Sequence, residues 1–110
     1  MKDDYTIMKQ EPFGPLVPIL TFKNFDEIVE RANNNELGLA SYIYTNDMKK
    51  ANKASELMES GTVAVNTPVV AVAEAPFGGI KQTGYGREGG SMAIKDYLNI
   101  KYTHLGVHYE

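Results

Sequence analysis

Three carboxylates in this sequence stand where they could take part in chemistry. Glu11 precedes a Pro-Phe-Gly-Pro turn, and Glu74 and Glu88 flank a glycine-rich stretch. A carboxylate can move protons or accept hydrogen bonds from hydroxyl groups, although this spacing fits solvated or ion-paired side chains equally well. The sequence contains no cysteine. It therefore supplies no thiol nucleophile, no disulfide and no cysteine-ligated metal.

The glycine-rich stretch contains a second candidate motif. Gly84-Tyr85-Gly86-Arg87-Glu88-Gly89 has the G-x-G-x-x-G spacing of dinucleotide-binding loops. That fingerprint requires a strand directly before it and a βαβ unit after it, with an acidic residue about 20 positions further on. Here a loop precedes the motif, and only a short helix and a tail follow it. We therefore interpret the match as coincidental.

Two histidines near the end of the chain could ligate a metal. His104 and His108 have the i, i+4 spacing that places two ligands on one helix face. Gly106 lies between them, and residues 100–103 before them are β-like, which favours an extended tail over a helix. We expect no metal site.

The composition narrows the class of protein. The chain has 110 residues, 43% hydrophobic and 23% charged, which is typical of one soluble globular domain. The formal net charge is -3 and the 11 basic residues are scattered, so we expect no nucleic-acid partner. No apolar run approaches the roughly 20 residues of a membrane helix, and the chain does not start like a secretory signal. We expect a cytoplasmic protein with no membrane partner.

Strands and helices alternate in the first half of the chain. Asn24 is predicted to cap a helix, with Glu27 three residues later as a capping box requires. Thr45-Asn46-Asp47 is predicted to start a second helix, which ends at Gly61. Three apolar segments are predicted strands: residues 16–22, 39–44 and 62–66. This order predicts an α/β fold with a small parallel βαβαβ unit.

The second half of the chain is less regular. Six of the 10 glycines fall within residues 68–90, which predicts a loop with unusual backbone angles. Ser91 is predicted to cap a short helix that ends at Leu98, and residues 100–105 form a predicted terminal strand. A three-stranded parallel sheet has open edges and too little cover. We therefore expect this sheet to extend another one, and the terminal strand to pair with a second subunit.

Five motifs follow one another along nearly the whole chain. They are Glu11-Pro12-Phe13-Gly14-Pro15, Gly38-Leu39-Ala40-Ser41, Gly61-Thr62-Val63-Ala64-Val65-Asn66, Pro76-Phe77-Gly78-Gly79-Ile80-Lys81 and Gly84-Tyr85-Gly86-Arg87-Glu88. In order and spacing they resemble the aldehyde dehydrogenase superfamily, within which the sequence is most similar to succinate-semialdehyde dehydrogenases and related semialdehyde enzymes. The resemblance is to the C-terminal part of these enzymes.

The resemblance implies roles for four residues. Glu11 would bind the nicotinamide ribose hydroxyls, because a carboxylate accepts two hydroxyl donors at once. Phe13 would pack beside the nicotinamide ring and leave the other face of the ring open. Phe77 would line the substrate tunnel, and Glu88 would belong to a proton path toward the general base. Apart from Glu88, the resemblance implies no catalytic residue in this chain.

The family mechanism, by the same resemblance, requires groups that this chain lacks. A cysteine thiolate attacks the aldehyde, NAD or NADP accepts a hydride, and a glutamate-activated water releases the acid. We expect these groups upstream, in a missing N-terminal partner segment, and we expect no tightly bound cofactor and no activity from this chain alone. Residues 1–90 would be a partial catalytic domain with an active-site loop. Residues 91–110 would form a helix and the oligomerisation strand of a homo-oligomer.

Two hypotheses follow for the function. The first is a C-terminal fragment of an NAD(P)-dependent aldehyde dehydrogenase. Its substrate could be succinic semialdehyde, although the apolar run Val69-Val70-Ala71-Val72-Ala73 replaces the polar groups expected near a substrate carboxylate. The second is a stand-alone α/β module that binds a nucleotide or a protein partner without chemistry.

Overall fold

The secondary structure alternates between helices and short strands up to residue 65 and is sparse beyond it. The computed structural model describes residues 4–107. Its elements, in chain order, are helix α1 (Phe25–Asn33), strands β1 (Leu37–Gly38) and β2 (Ala40–Ile43), helix α2 (Met48–Leu57), strand β3 (Thr62–Val65) and strand β4 (Ile80–Lys81). Two 3-10 helices, Thr6–Met8 and Ala93–Tyr97, lie outside this set.

Strands β2 and β3 form a parallel pair that helix α2 connects. Ala40 pairs with Thr62 and Ile43 with Val65, so the two strands are in register over their whole length. Ala51 and Ala54 of α2 are buried, as is Ala64 of β3. Small side chains let the helix approach the strand pair closely, and the chain buries its core at this junction. The predicted α/β class and the parallel pairing are confirmed.

Helix α1 begins at the predicted cap, Asn24, and helix α2 begins after Asp47, the last residue of its predicted start. The Asn24 side chain accepts a hydrogen bond of 2.9 Å from the Glu27 backbone N–H, while the Glu27 carboxylate accepts one from Lys23. The Asp47 carboxylate accepts hydrogen bonds from the Lys49 and Lys50 backbone N–H groups. The Lys50 hydrogen bond is the main reason why the pKa of Asp47 lies below its ordinary value. These local bonds satisfy N–H groups that the helices leave unpaired.

The end of α2 differs from its prediction. The helix ends at Leu57, with Met58 as its C-cap, well before Gly61. Asn33, at the end of α1, explains the early ending, since its side-chain amide donates to the Leu57 carbonyl oxygen at 2.8 Å and accepts from the Glu59 backbone N–H at 2.9 Å. One amide thus satisfies a carbonyl and an N–H group at the end of α2.

A second, antiparallel strand pair forms where no strand was predicted. Strand β4 lies within the glycine-rich stretch and pairs with β1, with Leu37 opposite Lys81 and Gly38 opposite Ile80. The Lys81 backbone has φ of 57°, a left-handed conformation. Its Nζ donates to the Asn33 carbonyl oxygen at 2.7 Å and forms an ion pair with Glu59. This ammonium group therefore ties β4 to the end of α1.

Two predicted strands and one predicted cap are corrected by the structure. Residues 16–22 and 100–105 join neither sheet in the part of the chain that the structure describes. The predicted βαβαβ unit is thus reduced to β2–α2–β3 preceded by a helix. The helix predicted over residues 91–98 is a 3-10 helix that begins at Ala93, with Met92 and not Ser91 at its N-cap position. A strand needs a neighbour for its backbone groups, and residues 4–107 supply none at these two places.

Much apolar surface remains exposed. No large side chain among the described residues is fully buried, and Val17 and Ile19 are 80% and 70% exposed. The radius of gyration is 20.1 Å, against about 13 Å for a compact domain of this length. Within residues 4–107, none of the helices has the length and apolar character needed to cross a bilayer. The described residues therefore combine an extended form with many exposed apolar side chains.

Candidate active-site loop

The loop after β3 leaves the strand pair at a fixed point. Asn66 adopts a left-handed conformation with φ of 55°. Its side-chain amide accepts from the Thr45 backbone N–H at 2.9 Å and donates to the Thr45 carbonyl oxygen at 3.0 Å. The amide thereby continues the pairing of β2 and β3 for one more residue, in place of backbone. The loop therefore starts from an edge that these side-chain hydrogen bonds hold in place.

The backbone of the loop brings Phe77 and Glu88 together. The N–H group of each residue donates to the carbonyl oxygen of the other, and both hydrogen bonds are 2.7 Å long. The two residues form an isolated antiparallel bridge. Gly90 closes the base of the loop with a 2.9 Å hydrogen bond to the Ala73 carbonyl oxygen. Phe77 and Glu88, which are eleven positions apart in the sequence, therefore lie next to each other in the structure.

Arg87 links the two arms of the loop. Its guanidinium group donates to the Gly79 carbonyl oxygen at 2.8 Å and to the Gly86 carbonyl oxygen at 2.7 Å. Its backbone N–H donates to the Asp96 carboxylate at 2.8 Å. Neither Arg87 nor Asp96 was predicted from the sequence as a functional position. The Gly-Arg-Glu motif marks the first, but the sequence carries no local signal for a contact between a loop N–H and a later carboxylate.

Glycines allow the loop to dock closely on the strands. A Cβ on Gly61 would lie 1.9 Å from the Gly78 carbonyl oxygen, which is far inside van der Waals contact, so no side chain fits at this position. The Thr83 hydroxyl accepts a 2.7 Å hydrogen bond from the Gly38 backbone N–H, which fixes the turn after β4 to β1. Close backbone approach explains why glycine stands at Gly61. The strand pairs thus position the loop that carries Phe77.

An open concavity of about 310 Å³ lies beside the bridged pair. Its lining residues are Leu39, Phe77, Gly78, Gly79, Thr83, Gly84, Tyr85, Gly86, Arg87, Glu88, Asp96 and Tyr97. Phe77 is half-buried and Glu88 is exposed. Glu74, the other carboxylate that flanks the glycines, is exposed and does not contribute to this lining. Among the predicted site residues, the structure therefore brings Phe77 and Glu88 to one surface.

Glu11 and Phe13 lie on a separate turn. The Gly14 N–H donates to the Pro12 carbonyl oxygen at 3.1 Å, and the Leu16 N–H donates to Gly14 at 2.8 Å. The Phe13 ring is 95% exposed. The Glu11 carboxylate has no hydrogen bond or ion pair within residues 4–107, so both of its oxygens can accept. The turn therefore presents an unpaired carboxylate, which can accept hydrogen bonds, and an exposed aromatic ring, which can stack on a flat group.

The histidines form no metal centre in the part of the chain that is described. The His104 imidazole hydrogen-bonds with the Tyr102 hydroxyl at 3.0 Å. His108 lies outside the described residues, so the geometry of the His104 and His108 pair stays a prediction. Over residues 4–107, no group of three or more histidine, aspartate or glutamate side chains is placed to hold a metal ion.

The glycine loop, its docking strands and the exposed Glu11 turn together match one class of protein. The family model described as the aldehyde dehydrogenase family matches residues 1–103. The chain belongs to the aldehyde dehydrogenase family, as its five motifs indicated.

Individual relatives span several aldehyde substrates. The chain is 51% identical over 100 residues to 3-sulfolactaldehyde dehydrogenase of Pseudomonas putida, with 91% of this chain and 21% of the relative covered. It is 44% identical over 101 residues to the NADP(+) succinate-semialdehyde dehydrogenase of Escherichia coli K12, with 92% of this chain and 21% of the relative covered. It is 46% identical over 99 residues to human retinal dehydrogenase 2, covering 90% and 19%. The chain therefore spans about a fifth of the length of these relatives.

Solved structures share the fold. Succinate-semialdehyde dehydrogenase from Burkholderia pseudomallei superposes with a TM-score of 0.89 at 44% identity, covering 93% of this chain and 21% of that one. An NAD+ complex of aldehyde dehydrogenase from Bacillus cereus gives a TM-score of 0.88 at 44% identity, covering 92% and 21%. Residues of this chain thus adopt the arrangement of a segment in a much longer enzyme.

Proposed function

We propose that this chain is the C-terminal segment of an NAD(P)-dependent aldehyde dehydrogenase that oxidises an aldehyde to its carboxylic acid. The observation that carries the proposal is the backbone bridge between Phe77 and Glu88 beside the concavity. It places an aromatic side chain and a carboxylate at one surface, as a substrate channel with an adjoining proton path requires. Membership of the family supports the reaction class.

In this proposal the Glu11 turn binds the nicotinamide half of the cofactor. The bound NAD(P) supplies the hydride acceptor of the reaction. Glu11 accepts hydrogen bonds from the ribose hydroxyls, and Phe13 holds the ring by contact with one face. Both side chains are exposed within residues 4–107, so no rearrangement is needed to expose them. The remaining cofactor contacts come from the rest of the enzyme.

The loop residues act on the substrate side. Phe77 contacts the aldehyde chain and excludes water from it, and Glu88 relays protons toward the general base. The thiolate that attacks the aldehyde must come from another part of the enzyme, because this chain has no cysteine. The chain then contributes positioning and proton transfer, not the nucleophile.

For the substrate we propose an aldehyde that carries an anionic group, with succinic semialdehyde as the first candidate. Two of the relatives are named for sulfolactaldehyde and succinate semialdehyde, which both carry such a group. Because the chain is also similar to retinal dehydrogenase 2, an apolar aldehyde is the alternative candidate substrate. Within residues 4–107, Arg87 is the one cation that lines the concavity, and its Nη1 atom donates to two carbonyl oxygens. The other N–H groups of its guanidinium make Arg87 the candidate partner for the substrate anion within this part of the chain.

The test uses the complete enzyme that contains this chain, with NAD or NADP and an aldehyde panel. We expect oxidation of succinic semialdehyde, and we expect Glu11→Gln to weaken transition-state stabilisation by about 1.5 to 3 kcal/mol, because the amide loses the charge-assisted bonds to the ribose. Glu56→Gln is the matched control, since Glu56 is exposed on α2. Unchanged kinetics in Glu11→Gln would remove Glu11 from the site. No oxidation of any aldehyde would contradict the proposed function.

We further propose that the terminal segment joins subunits. Ile100, Tyr102 and Leu105 are 102%, 84% and 84% exposed. Burial of a few hundred Å² of such surface, at about 25 cal/mol per Å², yields several kcal/mol before association entropy is subtracted. Light scattering of purified residues 1–110 over a concentration series should show a dimer or larger species, and deletion of the residues after Asn99 should weaken this association. A monomer at high concentration, unaffected by that deletion, would contradict the assignment.

A further inference from the structure

The 3-10 helix Ala93–Tyr97 lies against the glycine loop and contacts it through one carboxylate. Asp96 Oδ2 accepts a hydrogen bond of 2.8 Å from the Arg87 backbone N–H. The bond spans nine residues, and it is made to backbone, so the identity of the Arg87 side chain does not determine it. Arg87 directly precedes Glu88, which forms the bridge to Phe77. The carboxylate therefore acts on the chain next to the bridged pair.

The fit of this carboxylate is tight. Gly86 has φ of 84°, and a Cβ at that position would lie 2.8 Å from Asp96 Oδ2. The left-handed backbone and the lack of a side chain at Gly86 leave space for the carboxylate beside the Arg87 N–H. Asp96 also lines the concavity beside Phe77 and Glu88. The exposed carboxylate thus reaches the loop backbone at the edge of the concavity.

The Arg87 guanidinium does not compete for Asp96. It donates to the Gly79 and Gly86 carbonyl oxygens, which lie on the two arms of the loop. Two side chains therefore hold the loop in addition to the backbone bridge of Phe77 and Glu88: the Arg87 guanidinium binds carbonyl oxygens, and the Asp96 carboxylate binds an N–H group. Loss of the Asp96 hydrogen bond weakens the support of the arm that carries Glu88, while the guanidinium contacts and the bridge can persist.

We propose that Asp96 is a positioning residue that fixes the glycine loop so that Glu88 stands beside Phe77 at the substrate surface. Asp96 acts because its side chain is long enough to place an acceptor oxygen at the Arg87 N–H, and its negative charge matters less for this hydrogen bond. The inference rests on the proposed function, because it assigns Asp96 to the substrate side of the dehydrogenase reaction. The Glu11 turn, where the cofactor is proposed to bind, does not contact Asp96 in residues 4–107.

The test compares three substitutions in the complete enzyme. Asp96→Asn keeps an oxygen acceptor at the same length and should retain kcat/KM for the aldehyde within about twofold. Asp96→Ala removes the acceptor, and Asp96→Glu keeps the charge but moves the oxygens by one methylene. We expect each of these two to lower kcat/KM for the aldehyde by about tenfold, since small displacements in an active site have effects of this scale or larger. The KM for NAD(P) should not change.

The outcomes separate the inference from its alternatives. Glu56→Gln is the control for loss of an exposed negative charge and should match the wild type. Wild-type kinetics in Asp96→Ala and Asp96→Glu would overturn the inference. So would an Asp96→Asn enzyme as impaired as Asp96→Ala, which would make charge the determining property. If Asp96→Ala fails to fold, the Asn and Glu variants still decide between length and charge.

Two further outcomes are decisive. An equal rise in KM for NAD(P) and for the aldehyde would show general loosening of the structure, and would overturn a specific positioning role. A wild-type enzyme that oxidises no aldehyde would overturn the proposed function and this inference together. An active wild type that is insensitive to every Asp96 substitution would overturn this inference alone.

Discussion

Purified residues 1–110 should produce no NAD(P)H from succinic semialdehyde or from a simple uncharged aldehyde, even where the complete enzyme is active. Hydride leaves an aldehyde carbon readily only after a nucleophile has added to it, and this chain contains no thiol to add. The expected effect is complete loss of turnover. It is measured by absorbance of the reduced cofactor against a blank without protein.

The control for that experiment is a mock purification from the same host, which detects contaminating host dehydrogenases. Turnover above this control would contradict the assigned chemistry. Calorimetric titration with NAD should show weak or undetectable binding, because the contacts proposed for Glu11 and Phe13 involve only the nicotinamide half of the cofactor. Micromolar affinity, which corresponds to about -8 kcal/mol, would instead favour a stand-alone nucleotide-binding module.

Gly61→Ala should strongly destabilise the fold, although it adds a single methyl group. The added Cβ would lie 1.9 Å from the Gly78 carbonyl oxygen and 2.9 Å from the Gly79 Cα, so backbone would have to move. We expect the free energy of unfolding to fall by about 3 kcal/mol, at the upper end for overpacking. The measurement is thermal unfolding followed by circular dichroism at fixed protein concentration.

Gly14→Ala is the matched control for that substitution. A Cβ on Gly14 would meet nothing within 4 Å, and its backbone shows no positive φ. Its midpoint should therefore stay close to that of the wild type. Equal midpoints for Gly61→Ala and the wild type would mean that the loop does not dock on the start of β3.

Local sequence signals predicted the elements whose partners lie nearby. Asn24 and Asp47 cap their helices because a short side chain reaches an N–H group two or three residues away, which a sequence pattern can reveal. The parallel pairing of β2 and β3 followed from the strand–helix–strand order. These predictions needed no information about the rest of the molecule.

Features that depend on distant groups could not be predicted in the same way. The apolar patterns of residues 16–22 and 100–105 fit strands, but the backbone groups that would pair with them are not in residues 4–107. Strand β4 was missed because its two residues form a strand only through β1, far earlier in the chain. The contact between Asp96 and the Arg87 N–H was missed for the same reason.

The same distinction between local signals and distant contacts applies to the candidate site. Glu11, Phe13, Phe77 and Glu88 were identified from motifs, which preserve residue types at fixed spacing. The bridge that joins Phe77 to Glu88 is made by backbone groups, so the residue types in the sequence do not predict it. Family resemblance named the side chains, while the hydrogen bonds of the folded loop explain how two of them come to lie together.

The pairing of Asn66 with Thr45 has a consequence for protein engineering. One side-chain amide satisfies both backbone groups of Thr45, so the edge of the strand pair is complete before the loop begins. Residues 68 to 71 can then be lengthened, shortened or exchanged without loss of a strand hydrogen bond, whereas Ala73 must stay in place because its carbonyl oxygen accepts from the Gly90 N–H. Under the proposed function, a library that varies residues 68 to 71 on an otherwise unchanged chain would test whether this stretch contributes to aldehyde preference.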